Sequence, residues 1–139
     1  MVPVTVGDVV ELARAVRRDG VPAIEDPLVR DQLTQFLIEE QSDRLCSERN
    51  KIKALTADYP GAIGMSAKLR RSELKRRLCQ FAISLQGANG ARWVGDANAS
   101  AGGKWQRSYF NAFSSTIGGG TSQVQSNIVG ERVLGLPKD

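Results

Sequence analysis

The sequence predicts an all-α fold: an antiparallel four-helix-type bundle with a short extra helix, occupying residues 1–139 as one domain. Two observations carry this. Apolar residues recur at helical spacing in successive stretches while no strand-like alternation competes, and each stretch ends at glycine or proline turn residues. There is no internal repeat, and a chain of 139 residues is long enough to bury a real core.

The first helix is read over Val4–Asp19 from Val9, Val10, Leu12, Ala13 and Val16, with Gly20 as its stop. Asp26 caps the next, with Pro27 at its first position, where a missing N–H costs nothing. From Leu28 the apolar positions Val29, Leu33, Phe36, Leu37, Leu45, Ile52 and Leu55 run to about Ala57, and Asp58-Tyr59-Pro60-Gly61 end it. The third helix, Gly64–Leu85, has a core stripe of Met65, Leu69, Leu74, Leu78, Phe81, Ala82 and Leu85. Its other face carries Lys68, Arg70, Arg71, Lys75, Arg76 and Arg77. A polar stretch with five glycines, residues 86–104, reads as a functional loop. A fourth helix, Trp105 to about Thr116, brings Trp105, Tyr109, Phe110 and Phe113 as core aromatics. A last helix runs from Ser122 to about Leu134, opened by a Ser122/Gln125 capping box and stopped by Gly135 and Pro137.

Composition excludes several classes. Hydrophobic residues make up 41% and charged residues 24%, ordinary globular values that argue against disorder. No apolar run approaches the roughly 20 residues of a membrane span, and no signal peptide pattern follows Met1. The expectation is a cytoplasmic domain. The chain has no histidine, which removes Ser-His and Cys-His triads and leaves no metal site to expect. Cys46 and Cys79 stand apart inside helical patterns and read as small core residues. The net charge of +4 permits an anionic partner without demanding one. The basic helix has its charges spread around it, includes Glu73 and interleaves no aromatic residue, so it reads as a solvated or interface face and no nucleic acid is expected.

The most informative local feature is Ile117-Gly118-Gly119-Gly120-Thr121-Ser122-Gln123-Val124-Gln125. Glycines before a helix start let a ligand approach the backbone, and the first N–H groups of the helix sit at the positive end of its dipole. Thr121 adds a hydroxyl and Gln123 an amide on that turn. Spacing alone leaves two readings open, a phosphate site and a capped inter-helix turn.

The stretch Arg107–Asp139, with its GGTSQVQ loop followed by NIVGERVLGLP, closely resembles the end of bacterial acyl-CoA dehydrogenases. The DPLVRDQL helix start, the AKLRRSELKRRL helix and the LQGANG loop fall in the order and spacing of the family's C-terminal helical domain. The resemblance covers nearly the whole chain and is weakest before about residue 25. It implies a flavoenzyme that introduces an α,β double bond into an acyl-CoA thioester, with FAD accepting the hydride. By position, Gly119, Gly120, Thr121 and Gln123 are the implied FAD contacts. Gly87, Ala88, Asn89 and Gly90 resemble the loop that reaches the FAD of a neighbouring subunit, where the family's glutamine is replaced by Ser84. Arg18 or Arg17 stands near the place of the arginine that meets that subunit's pyrophosphate, without the Phe-Gly that follows it in the family.

The catalytic base has no counterpart. Some relatives place a glutamate immediately before the Gly-Thr pair, and that position is Gly119; others place it on a helix that would precede Met1. No catalytic residue is therefore assigned, and Glu131 reads as structural. The resemblance implies that FAD is shared with N-terminal helical and middle β-domains or with partner subunits. Acyl-CoA would be met only by the complete enzyme, and the bundle would form a homo- or hetero-oligomer, dimer or tetramer. The other reading is a non-catalytic oligomerisation or regulatory module of the same descent.

Overall fold

The computed structural model describes residues 4–56 and 62–138. Helix α1, Val6–Ala15, opens on a reciprocal cap. The Asp8 N–H donates to the Thr5 hydroxyl at 3.2 Å and the Thr5 N–H to the Asp8 carboxylate at 2.8 Å. Val6, Val9, Leu12 and Ala13 form its buried stripe.

The first helix stops at Ala15, four residues before the expected end. Arg17–Arg18 (β1) instead pairs antiparallel with Val21–Pro22 (β2). The turn between them holds Asp19 at φ 51° and Gly20 at φ 81°. Two positive φ values in a two-residue turn are what Asp-Gly supplies, so Gly20 closes a hairpin rather than a helix. This short ladder is the strand content that periodicity did not show.

Helix α2, Pro27–Arg49, starts as read, with the Leu28 N–H donating to the Asp26 carboxylate at 2.9 Å. It ends earlier than expected. The amides of Lys51 and Ile52 each bond three residues back at 3.0 Å, tightening the chain before the short α3, Lys53–Thr56. At 23 residues α2 is about 35 Å long. Ala57 and the Asp58–Gly61 turn lie outside the described residues.

Helix α4, Ala62–Leu85, is packed by α1, α2, α5 and α6. The core gathers at its C-terminal half, where Leu78, Ala82 and Leu85 meet Val9 and Leu12 of α1, Val29, Leu33 and Phe36 of α2, and Trp105. Burying these side chains drives the assembly, at about 25 cal/mol per Å² of apolar surface. Met65 and Leu69, read as core, are only half-buried, because the N-terminal half of α4 faces the polar end of α2. There Arg70 and Arg71 pair with Asp43 at 3.1 and 2.5 Å, and Arg77 pairs with Glu39. Much of the basic face is thus an interface with α2.

Residues 87–91 and 100–103 form 3₁₀ turns that bracket the long loop. Helix α5, Lys104–Ile117, follows and buries Trp105, Gln106, Ser108 and Ala112. The expected aromatic core holds at Trp105 and is corrected at Phe110 and Phe113. Phe110 is 61% exposed and Phe113 40%, since they lie on the face of α5 turned away from α4. Helix α6, Ser122–Arg132, is capped by Thr121 rather than Ser122, and Glu131 is its penultimate residue. No helix among the described residues is long and apolar enough to cross a membrane.

Candidate functional site

Two places gather the sequence-predicted residues. The first is the turn between α5 and α6. Gly118 closes α5, its N–H donating to the Ser114 carbonyl at 2.8 Å. Gly119 and Gly120 follow at φ 70° and 99°. Gly120 stands at φ 99°, a conformation L side chains rarely adopt, and a Cβ there would only displace the movable end of Gln125; around Gly119 there is open space.

Thr121 accepts the Val124 N–H at 3.2 Å. The Gln125 amide folds back onto the Gly119 carbonyl at 2.8 Å. Two side chains of α4 hold the turn from below. The Lys68 ammonium donates to the Gly120 carbonyl, and the Ser122 hydroxyl donates to the Glu73 carboxylate at 2.5 Å. That hydroxyl, together with Arg76, keeps the Glu73 carboxyl below the usual carboxylate range against the opposing cost of burial. Gln123 is exposed at the helix start.

The sequence reading missed Lys68 and Glu73 as partners of this turn. They lie 52 and 49 residues from the groups they bind, and no local signal links them. With Glu73 occupied by Ser122 and Arg76, the carboxylate that meets the turn is a tether. Position 119 is glycine and presents only backbone.

The second place lies at the other end of α4. A cleft of about 560 Å³ is lined by Arg17 and Arg18 of the hairpin, Gln86, Gly87 and Asn89 after α4, and Arg92. Arg18, Gly87 and Asn89 thus line one cleft. Gly90 does not line this cleft. It is buried, a Cβ there would come within 2.8 Å of the Ile83 carbonyl oxygen, and its own carbonyl accepts the Gln106 amide at 3.0 Å.

Lys68 and Leu85 are 17 positions apart on one helix, so the two places are separated by about 25 Å.

The described residues form six α-helices, with a glycine-rich turn opening the last, in the arrangement of a dehydrogenase C-terminal bundle. The chain belongs to the acyl-CoA dehydrogenase family, with residues 4–134 matching the family's C-terminal domain. It is 34% identical over 133 residues to the acyl-CoA dehydrogenase IpdE1 of Mycolicibacterium smegmatis, covering 95% of this chain and 30% of that protein. Against the acyl-CoA dehydrogenase IpdE1 of Mycobacterium tuberculosis it is 32% identical over 132 residues, covering 95% and 31%. Its fold superposes on the ChsE4-ChsE5 complex from Mycobacterium tuberculosis with a TM-score of 0.78 at 23% identity, covering 96% of this chain and 34% of that chain. It also superposes on the Tcur3481-Tcur3483 steroid ACAD with a TM-score of 0.77 at 25% identity, over 96% and 34%. The chain spans about 30% of the length of the curated relatives. The family read from the Arg107–Asp139 resemblance and the bundle read from helical spacing are both borne out.

Proposed function

We propose that this chain supplies the flavin- and subunit-contacting part of an acyl-CoA dehydrogenase. N-terminal helical and middle β-domains would come from the same or a partner polypeptide. The observation that carries the reading is the turn at Gly119–Thr121, left open on its outer side and fixed on its inner side by Lys68 and Glu73. The residues present fit a flavin dinucleotide. Thr121 and Gln123 offer polar groups at a helix start, Gly119 lets a ligand reach the backbone, and the arginine-lined cleft suits the phosphates of a second dinucleotide. When bound, FAD accepts the hydride that leaves the acyl chain. The chain's own residues bind and orient; no residue here is assigned proton abstraction.

Assembly with other subunits is part of the proposal. Phe110 and Ile117 are 61% and 64% exposed on one face of α5, with Phe113 between them and Trp93 beside Phe110 at 5.5 Å between ring centroids. An apolar aromatic face of this kind is characteristic of an interaction surface. Two structural neighbours are named as pairs of proteins, which supports a hetero-oligomer. One is named a steroid ACAD, and on that ground we place the acyl group among bulky steroid-derived thioesters rather than straight fatty acyl chains.

The second reading, a non-catalytic oligomerisation or regulatory module, draws on Gly119 standing where the resemblance puts the glutamate of some family members. One experiment separates the two. The chain is purified from its own cells with whatever accompanies it, and its visible absorbance is recorded. A yellow preparation containing a larger partner is expected; a colourless single species favours the module.

A further inference from the structure

We propose that the cleft at the start of α5 receives an acidic side chain of a partner subunit, held by Arg107 and Ser108. This rests on the reading of the neighbouring aromatic face as an assembly surface, and it names the chemistry of the group that docks beside it.

The cleft, of about 510 Å³, lies between the turn at residues 101–103 and the face of α5 that carries Lys104, Arg107 and Ser108. Spacings of three and four along a helix set these side chains next to one another. Ala101, Gly102 and Gly103 all have positive φ, at 48°, 60° and 80°. This left-handed run folds the chain back until Gly103 packs on Val94, where a Cβ would come within 2.7 Å of the Val94 backbone nitrogen. Val94 thereby becomes a wall of the cleft.

No carboxylate lines the cleft. Lys104 is already neutralised by Asp8 at 3.0 Å, so the open positive charge is that of Arg107. Arg107 is exposed, and its guanidinium has no ion pair or hydrogen bond among the described residues. Helix α5 also starts without a side-chain cap and without an acidic residue in its first turn, so the positive end of its dipole is uncompensated.

Ser108 adds an independent sign of a ligand. It is 5% exposed and lines the cleft, and its hydroxyl has no partner among the described residues. Further along the same helix, the hydroxyls of Ser114, Ser115 and Thr116 each donate to the carbonyl three residues back, at 2.6 to 2.8 Å. Buried hydroxyls are seldom left unpaired, so an acceptor belongs beside Ser108. A carboxylate meets both needs: it neutralises the Arg107 guanidinium and accepts from the Ser108 hydroxyl.

The surroundings favour a protein side chain over a small free anion. Val94 and Ala101 give the cleft apolar walls, and its volume exceeds that of a carboxylate group, so the ligand carries an apolar body. The cleft also runs on into the aromatic face. Phe110 follows Arg107 by one turn of α5, and its ring centroid lies 5.5 Å from that of Trp93, the neighbour of Val94 in the chain. Trp93 and Val94 are both exposed. A docking segment therefore has a glutamate or aspartate beside apolar residues, the acid for the cleft and the apolar groups for the rings.

The test is a titration of the isotope-labelled 139-residue chain, followed by its amide NMR shifts. The probes are a capped tripeptide with glutamate between two leucines, the same peptide with glutamine, and free acetate. The glutamate peptide should shift the amides of residues 101–108 and bind about tenfold or more tightly than the glutamine peptide, the scale of a charge-assisted hydrogen bond. Acetate, which lacks the apolar body, should bind more weakly than the glutamate peptide. Arg107→Gln should weaken the glutamate peptide about tenfold. Arg30→Gln makes the same change at an exposed position on α2 and should leave binding unaltered. Ser108→Ala should weaken binding without lowering the melting temperature, because no bond within the chain is lost. Equal binding of the two peptides, acetate matching the glutamate peptide, or no binding at residues 101–108 would each overturn the proposal. So would parent affinity in either the Arg107 or the Ser108 variant, or a lowered melting temperature in Ser108→Ala. The aromatic face is probed by itself through Phe110 and Ile117, so either reading can fail without the other.

Discussion

The Ser122 hydroxyl donates to the Glu73 carboxylate at 2.5 Å, joining the first turn of the last helix to the middle of α4 across 49 residues of sequence. With the Lys68 bond to the Gly120 carbonyl, it fixes the glycine turn against the bundle. Glu73→Gln should therefore free the start of α6, costing about 1–2 kcal/mol, the scale of a hydrogen bond to a charged group. Hydrogen exchange is expected to quicken at residues 119–125 while the hairpin at 17–22 is unchanged. Uniform quickening throughout would mean that the pair serves global stability only.

Gly90 and Gly119 should respond differently to alanine. At Gly90 the new Cβ meets a backbone carbonyl oxygen at 2.8 Å and the chain must shift, at a cost of about 1–3 kcal/mol. At Gly119 the space is open and only the positive φ of 70° is penalised, about 1–2 kcal/mol. Urea unfolding of the two variants measures the difference. The Gly119 variant should lose more in ligand contact than in stability.

Asp8 links α1 to α5 through Lys104 at 3.0 Å. Its carboxyl is lowered to about 2 by the Thr5 N–H first and then by Lys104. A depressed carboxyl contributes stability above its unfolded value, near 3.8, and that contribution disappears as pH falls through about 2. Asp8→Asn should lower the melting temperature at pH 7, by about 1 kcal/mol in stability, the scale of a helix cap. The gap from the parent chain should narrow between roughly pH 5 and pH 2 and close below it. A gap independent of pH would contradict the assignment.

The exposed face of α5 makes a further prediction. Phe110→Ser with Ile117→Ser should change the stability of the chain by less than about 1 kcal/mol, because both side chains are already largely in solvent. Co-purification with a partner subunit should fall sharply. Unaltered co-purification would place the interface elsewhere on the bundle.

Much of the bundle was legible in the sequence because its signals are local. The Asp26-Pro27 start of α2 and the glycine turn before α6 follow from neighbouring residues and stand where they were read. The Asp19-Gly20 hairpin was equally legible, and the run of apolar residues up to Val16 masked it. What could not be read is non-local. Lys68 and Glu73 bind groups about fifty positions away, and nothing in a helical stripe tells which charges will meet a turn. The exposure of Phe110 and Phe113 was hidden for a related reason: an apolar face looks the same in sequence whether it meets the core or a partner.

The central claim, that the Gly119–Thr121 turn contacts flavin, is tested most directly by flavin retention. The assembled enzyme carrying Thr121→Ala and Gln123→Ala is dialysed beside the unsubstituted assembly, and flavin absorbance is followed per mole of protein. The account predicts that the double variant loses flavin about tenfold or more readily, as expected for two lost contacts to a charged ligand. Equal retention in both assemblies would contradict it.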